Sequence, residues 1–115
     1  MTQAFTGTAT ISTAEYSLTG TSGAAAMQTT SGIVQLVLGL QNMVAGDSYR
    51  LKIKEKVLAA GTQRDMHTQI FTGVQGTPHA IVAAVYLVNG WDFTLTRLTG
   101  TDRSIDWSVR QMLAA

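Results

Sequence analysis

The stretch "AIVAAVYLVNGWDFTLTRL", residues 80–98, contains two strand patterns on either side of one turn signal. Residues 80–88 are continuously apolar, as in a strand that is covered on both faces. Residues 91–98 alternate apolar and polar side chains, as in a strand with one buried face. Asn-Gly at 89–90 is the strongest short signal for a two-residue hairpin, because both turn positions need positive φ. The stretch therefore predicts two paired antiparallel strands.

The hairpin also predicts a register and a core face. Pairing Val88 with Trp91 sets Tyr86 opposite Phe93, since paired residues of antiparallel strands share a face. A further turn at 99–103 then sets the last strand beside this one, with Trp107 opposite Leu95. The side chains predicted to share the core face are Val82, Tyr86, Trp91, Phe93, Leu95, Ile105, Trp107 and Val109.

The same pattern of strands and turns extends over most of the chain. Further strands are predicted at 32–41, 49–57, 63–71 and 104–112, separated by short segments that contain Gly or Asp. Residues 1–31 are rich in Thr, Ser, Gly and Ala and are predicted to form an N-terminal arm or edge strands. We therefore expect an all-β protein. Its residues 32–115 should form an antiparallel β-sandwich or jelly-roll-like barrel, with about six to eight strands in the whole chain.

Size and composition exclude several classes of protein. The chain has 115 residues, which fits one domain, and 13% of them are charged, about half the usual share. A formal net charge of +1 argues against a non-specific nucleic-acid binder. The absence of cysteine excludes disulfides and thiolate metal sites. No apolar run is long enough for a membrane helix and the N-terminus lacks signal-peptide features, so we expect synthesis in the cytosol, with use or assembly there.

Two of the predicted strands are apolar on both faces, which one small sandwich has few layers to cover. In residues 80–88, Ile81, Ala83, Val85 and Leu87 lie opposite the predicted core face, and residues 32–41 carry Leu and Val on one face and Ile and Val on the other. We expect a second chain or residues 1–31 to cover them. The predicted interface residues are Ile33, Val37, Ile81, Val85 and Leu87.

Residues 49–56, "YRLKIKEK", carry four basic side chains at every second position. These are Arg50, Lys52, Lys54 and Lys56, here called the basic strand. Alternation predicts that they face solvent, with Lys56 near Asp65, and that Glu55 lies inward near a strand end or beside an arginine such as Arg64 or Arg97. The solvated strand that resists edge pairing is the favoured interpretation. A docking face for an acidic protein and a nucleic-acid site are the alternatives, although no aromatic side chain lies between the basic ones for base stacking.

Few residues are candidates for chemistry. Asp65 and His67 are two residues apart and so are predicted to share a strand face, where a carboxylate and an imidazole could act as acid and base. A hydrated strand face is the strongly favoured interpretation of the two residues. His67 and His79 would need further ligands to hold a metal. With no phosphate loop and no nucleophile motif, the sequence predicts a protein that is not an enzyme, with no catalytic residue, no cofactor and no metal.

Residues 45–64 and 90–111 carry the motifs of a recognisable group. The motifs are "EYSL" at 15–18, a "GD-Y" turn, a "GTQR" turn and a "GWD…GTDRSIDWS-R" ending. Through them the chain resembles small proteins encoded among the virion genes of tailed bacteriophages. The resemblance covers most of residues 15–111 and carries over no catalytic residue. It implies a β-rich structural protein that decorates or cements the head, with a neck or tail protein as the alternative.

The resemblance also implies partners and a location. The expected partners are the major capsid protein or another virion protein, in a homo-oligomer located in the virion and assembled in the host cytoplasm. Neither a membrane nor nucleic acid is expected as a partner. A non-enzymatic module that binds nucleic acid or carbohydrate is the remaining alternative.

Overall fold

The computed structural model describes residues 2–113, with side chains described for residues 5–82 and 84–112. Eight strands form: β1 Thr2–Ile11, β2 Tyr16–Ser17, β3 Gly32–Gly39, β4 Ser48–Glu55, β5 Arg64–Thr72, β6 His79–Leu87, β7 Asp92–Thr99 and β8 Arg103–Leu113. A single 3-10 turn, Thr21–Gly23, lies between β2 and β3, and no α-helix occurs in residues 2–113. The all-β prediction is confirmed, and each of the six predicted strands lies within two residues of an observed one.

The strands form two four-stranded sheets that pack face to face. Sheet A has the order β1-β8-β3-β6 and sheet B the order β2-β7-β4-β5. The antiparallel pairs β1–β8, β2–β7, β3–β6 and β4–β5 are nested along the chain, as in a long hairpin that is rolled up. This nesting of pairs across two sheets is the jelly-roll arrangement. The predicted sandwich or jelly-roll-like barrel is confirmed.

The predicted hairpin at Asn89–Gly90 is wrong, because β6 belongs to sheet A and β7 to sheet B. Gly90 does have positive φ, at 52°. The turn is nevertheless tied to the end of β4: the Glu55 carboxylate accepts hydrogen bonds from the backbone N–H groups of Val88, at 2.7 Å, and Asn89, at 3.2 Å. Glu55 is the last residue of β4 and lies opposite Arg64 in the β4–β5 register, as predicted, and its carboxylate binds this crossing between the sheets.

The predicted pairing of the last two strands is also wrong, because β7 belongs to sheet B and β8 to sheet A. Residue Trp91 forms a backbone bridge with Gln28, and Trp107 on β8 lies opposite Leu38 on β3. The core side chains nevertheless agree with the prediction, because alternation fixes which face points inward whichever strand is the neighbour. The predicted core residues that are buried are Val82, Trp91, Phe93, Leu95, Ile105, Trp107 and Val109.

Tyr86 is the exception among the predicted core residues and is 59% exposed. A β-bulge explains it: Val34 pairs with Val85 but Leu36 pairs with Val82, so two residues of β6 oppose Gln35. A bulge of this kind reverses the alternation beyond it. Val82 on one side of the bulge and Leu87 on the other therefore both point into the core, and Tyr86 points out.

Residues 1–31 were predicted as an arm or as edge strands, and the structure has edge strands within them. Strand β1 pairs with β8 at one edge of sheet A, and β2 pairs with β7 at one edge of sheet B. Between β2 and β3 the chain passes the start of β7, where Ser17 and Thr19 donate hydrogen bonds to the Asp92 carboxylate. This segment closes one side of the sandwich, and it leaves Ile33 and Ile81 of sheet A exposed.

The Asp47 carboxylate joins two loops at one end of the sandwich. It accepts hydrogen bonds from Arg103 Nε at 2.8 Å and from the backbone N–H groups of Val44 and Thr101. The hydrogen bond from Arg103 is the main cause that lowers the pKa of Asp47 from 3.8 to about 2. Folding therefore favours the ionised carboxylate.

The lowered pKa of Asp47 predicts that the protein loses stability in acid. Because its folded pKa lies below the unfolded value, its contribution is complete above pH 3.8 and is lost as the pH falls towards 2. We expect Asp47→Asn to lower the urea midpoint at neutral pH and to flatten the decline between those two pH values. Urea unfolding followed by tryptophan fluorescence measures both effects. A variant whose midpoint falls as steeply with acid as that of the wild type would contradict this role.

Candidate interaction surfaces

The basic strand lies on the outer face of sheet B but is largely neutralised within its own chain. Lys52 Nζ lies 2.9 Å from Asp65 Oδ2, and Lys54 Nζ lies 2.9 Å from Glu15 Oε1. Both lysines lie on the predicted outward side of β4, but ion pairing leaves their side chains only 20% exposed. Long lysine stems lie along the sheet and bring their ammonium groups to carboxylates on neighbouring segments.

The two carboxylates are held in the ionised form. The hydrogen bond from Lys52 is the main cause that lowers the pKa of Asp65. Burial raises the pKa of Glu15, but the hydrogen bonds from Lys54 and Thr94 and the charges of Lys54 and Lys52 together outweigh it, and the pKa is lowered. The basic strand therefore presents less free positive charge than its sequence indicates.

The other two basic side chains behave differently. The predicted approach of Lys56 to Asp65 is wrong, because β4–β5 pairing places Asp65 beside Lys54. The Lys56 side chain instead packs over Gly90, where an added Cβ would come within 2.9 Å of Lys56 Cε. Arg50 has no ion-pair partner in the described part of the chain, and its buried Nε has no hydrogen-bond partner there.

Asp65 and His67 do not form an acid–base pair. The β4–β5 register shifts between Ile53, which pairs with His67, and Lys54, which pairs with Asp65. This bulge turns the two side chains to opposite faces of sheet B. Within residues 2–113, no group of three or more His, Asp or Glu side chains is arranged to hold a metal ion.

Strand β6 is the edge of sheet A opposite β1, β5 is the edge of sheet B opposite β2, and an apolar groove of about 360 Å³ lies between β5 and β6. We call this groove and its two strands the open edge. The groove is lined by Ile53, Met66, His67, Gln69, Ile81, Val82 and Val85. Met66 is 48% exposed and Ile81 is 64% exposed. Exposed strand edges beside apolar side chains are sites where another chain can add.

The outward side chains of sheet A form a second surface, here called the outer A face. Strand register arranges them in four rows: Met112, Ile33 and Tyr86; Arg110 and Gln35; Ser108, Val37 and Ile81; and Asp106, Gly39 and His79. Of the predicted interface residues, Ile33 and Ile81 are exposed and Val37 is partly exposed. Val85 is partly buried and lines the groove of the open edge. Leu87 is fully buried in its own core, so its predicted interface role is wrong.

The open edge was missed by sequence reasoning. Residues 63–71 alternate as any half-buried strand does, and alternation gives no sign that Met66 and Ile70 would both be exposed. Their exposure follows from the edge position of β5, which depends on the pairing of distant strands. The one local signal was the uncharged run at 80–88, which forms the opposite wall of the groove.

The described residues contain no helix that is long and apolar enough to cross a membrane. Comparisons of the chain with protein-family models, with curated proteins and with solved structures found no match.

Proposed function

We propose that this protein is a structural component of a tailed-phage virion that decorates or cements the capsid by binding the major capsid protein or another virion protein. A position at the neck or tail is the alternative. The observation that carries the proposal is a jelly roll whose apolar side chains stay exposed on two adjoining surfaces, the open edge and the outer A face. Jelly rolls include viral capsid domains and lectin domains, and the sequence resemblance to virion proteins favours the first group.

Such a protein acts by binding the assembled shell and not its free subunits. Binding to one state of an equilibrium stabilises that state by mass action. The exposed side chains Met66 and Ile81 supply apolar area for this binding, at about 25 cal/mol per Å² removed from water. The free backbone edges of β5 and β6 supply hydrogen-bonding groups to an added strand.

The proposal assigns no catalytic residue and no nucleic-acid site to this protein. The positive charges of Lys52 and Lys54 are matched by Asp65 and Glu15. A nucleic-acid module requires free positive charge to displace counterions. Arg50 and Lys56, which have no ion-pair partner in the described residues, are too few for the several phosphate contacts that such binding uses.

Co-sedimentation with shells formed by the major capsid protein of the same genome tests the proposal. We expect wild-type protein to pellet with shells and Met66→Asp to bind at least about 10-fold more weakly, because a charge is then desolvated in an apolar contact. Met27→Asp is the matched control, since Met27 is 55% exposed on the segment before β3 and does not line the groove of the open edge.

Two outcomes would overturn the proposal. One is wild-type protein that stays in the supernatant at every shell concentration. The other is tight, salt-sensitive DNA binding that disappears when Lys52, Lys54 and Lys56 are replaced by Gln, which would assign the basic strand to nucleic acid.

A further inference from the structure

We propose that two copies of this protein dimerise through the outer A face, about a two-fold axis that crosses β8 at Ser108 and lies perpendicular to the strands. This inference adds to the proposed function the interface of the homo-oligomer that the resemblance implies, and it is tested without shells. The dimer takes up Ile81, so the part of the open edge that stays available as the proposed shell contact is Met66 and the backbone edge of β5.

The first observation is a pair of opposite charges that the single chain leaves unmatched. Asp106 and Arg110 project from the outer A face on either side of Ser108, and neither has an ion-pair partner in the described residues. Asp106 accepts hydrogen bonds only from the neutral groups of Thr8, at 2.8 Å, and Gln41, at 3.3 Å. Arg110 Nε donates a long hydrogen bond of 3.4 Å to Ser108 Oγ.

These two charges do not form an ion pair within the described part of one chain. Four residues of β-strand separate their Cα atoms by about 13 Å. A two-fold axis at Ser108 reverses the strand direction of the second copy, so Asp106 of each copy faces Arg110 of the other. Residue i then meets j and j meets i, as an isologous contact requires. The surface is therefore complementary to a second copy of itself.

The second observation is that the outer A face has room for the incoming arginine. Gly39 lies between Asp106 and His79, with Gln41 Oε1 over it, where an added Cβ would come within 2.8 Å. A groove of about 230 Å³ lies beside Asp106 and is lined by Val37, Gly39, His79, Asp106, Trp107, Ser108 and Arg110. An Arg110 side chain from the second copy that enters this groove reaches the Asp106 carboxylate. A guanidinium bonded to a carboxylate in a partly enclosed site is stronger than an exposed pair.

The third observation is apolar area at the predicted axis. Val37 and Ile81 share the row of Ser108, and Ile81 is 64% exposed. A two-fold contact buries this row from both copies. The outer face of sheet B offers no comparable contact, because its lysines already have partners in their own chain.

Charge reversal in mixed samples tests the dimer by sedimentation velocity. Wild-type protein is expected to dimerise. Asp106→Arg alone and Arg110→Asp alone should each weaken dimerisation by about 100-fold, because like charges then face each other across the axis. An equimolar mixture of the two variants should dimerise again, because every charge of one variant then faces its opposite on the other. Arg64→Asp, an exposed reversal on sheet B, is the control and should dimerise like the wild type.

Restored dimerisation in the mixture cannot arise from refolding of a damaged chain. It therefore reports the contact between Asp106 of one copy and Arg110 of the other. The inference is overturned if wild-type protein is monomeric at all concentrations, if either reversal leaves dimerisation unchanged, or if two folded variants stay monomeric when mixed. Monomeric protein that still pellets with shells would overturn the dimer alone. Dimeric protein that never pellets would overturn the proposed function alone.

Discussion

Trp91→Ala is expected to lower the free energy of unfolding by about 4 kcal/mol, as truncation of a fully buried large aromatic does. The Trp91 side chain is 0% exposed and makes edge contacts with the rings of Phe5 and Phe93, at centroid distances of 6.1 and 5.9 Å. Its Nε1 donates a hydrogen bond to the backbone oxygen of Thr30, at 3.0 Å. The truncation therefore removes contacts to β1, to β7 and to the segment before β3 together. Chemical denaturation followed by circular dichroism measures the loss.

Trp107→Phe is the informative control, because it changes the other tryptophan without opening a large cavity. The Nε1 atom of Trp107 is buried and has no hydrogen-bond partner among the described residues. Replacing it by phenylalanine removes that unsatisfied donor and part of the ring, with an expected cost below about 1.5 kcal/mol. A smaller loss for Trp91→Ala than for Trp107→Phe would contradict the proposed roles of the two rings in the core.

Gly100→Ala is expected to destabilise the protein by roughly 3 kcal/mol, from positive-φ strain and overpacking together. Gly100 has a φ of 88°, in the left-handed region that residues with a Cβ rarely adopt. An added Cβ would lie 2.7 Å from the Asp47 Cα and 2.9 Å from the Gly46 backbone oxygen. Because these are backbone atoms, the whole loop of residues 42–47 must move away from the turn between β7 and β8.

Gly46→Ala separates the two causes. Gly46 has a similar φ of 92°, but an added Cβ there meets no atom within 4 Å. This variant should cost only the conformational part, about 1 kcal/mol. Thermal unfolding of both variants beside the wild type gives the difference. Equal losses would show that close packing of Gly100 against Asp47 contributes nothing.

The sequence predicts where the strands lie far better than how they pair. Local alternation and the punctuating turns give six strand positions within two residues. Asn89–Gly90 gave a wrong prediction of pairing, because a turn that favours a hairpin locally can also connect two sheets. Here the Glu55 carboxylate binds the N–H groups of Val88 and Asn89 and holds the turn in that second use. The Glu55 carboxylate that favours the crossing is more than thirty residues away in sequence, so no local pattern around Asn89–Gly90 could have predicted it.

The candidate surfaces depend on distant pairing in the same way. Alternation correctly places Arg50, Lys52 and Lys54 on an outer face, but their neutralisation needs Glu15, from the loop between β1 and β2. The bulges in β5 and β6 reverse alternation at single residues, which is why His67 and Tyr86 lie on faces opposite to those predicted. The two-sided apolar character of residues 80–88 was predictable, and it marks an edge strand of the sandwich.

The central claim, that this protein is a bound component of a virion shell, is tested most directly by electron cryomicroscopy of shells assembled with and without it. The account predicts additional density of one jelly roll or one dimer at symmetry-related positions only where the protein was added, with Met66 and the rest of the open edge turned towards the shell. Identical maps from the two preparations, with the protein left in solution, would contradict it.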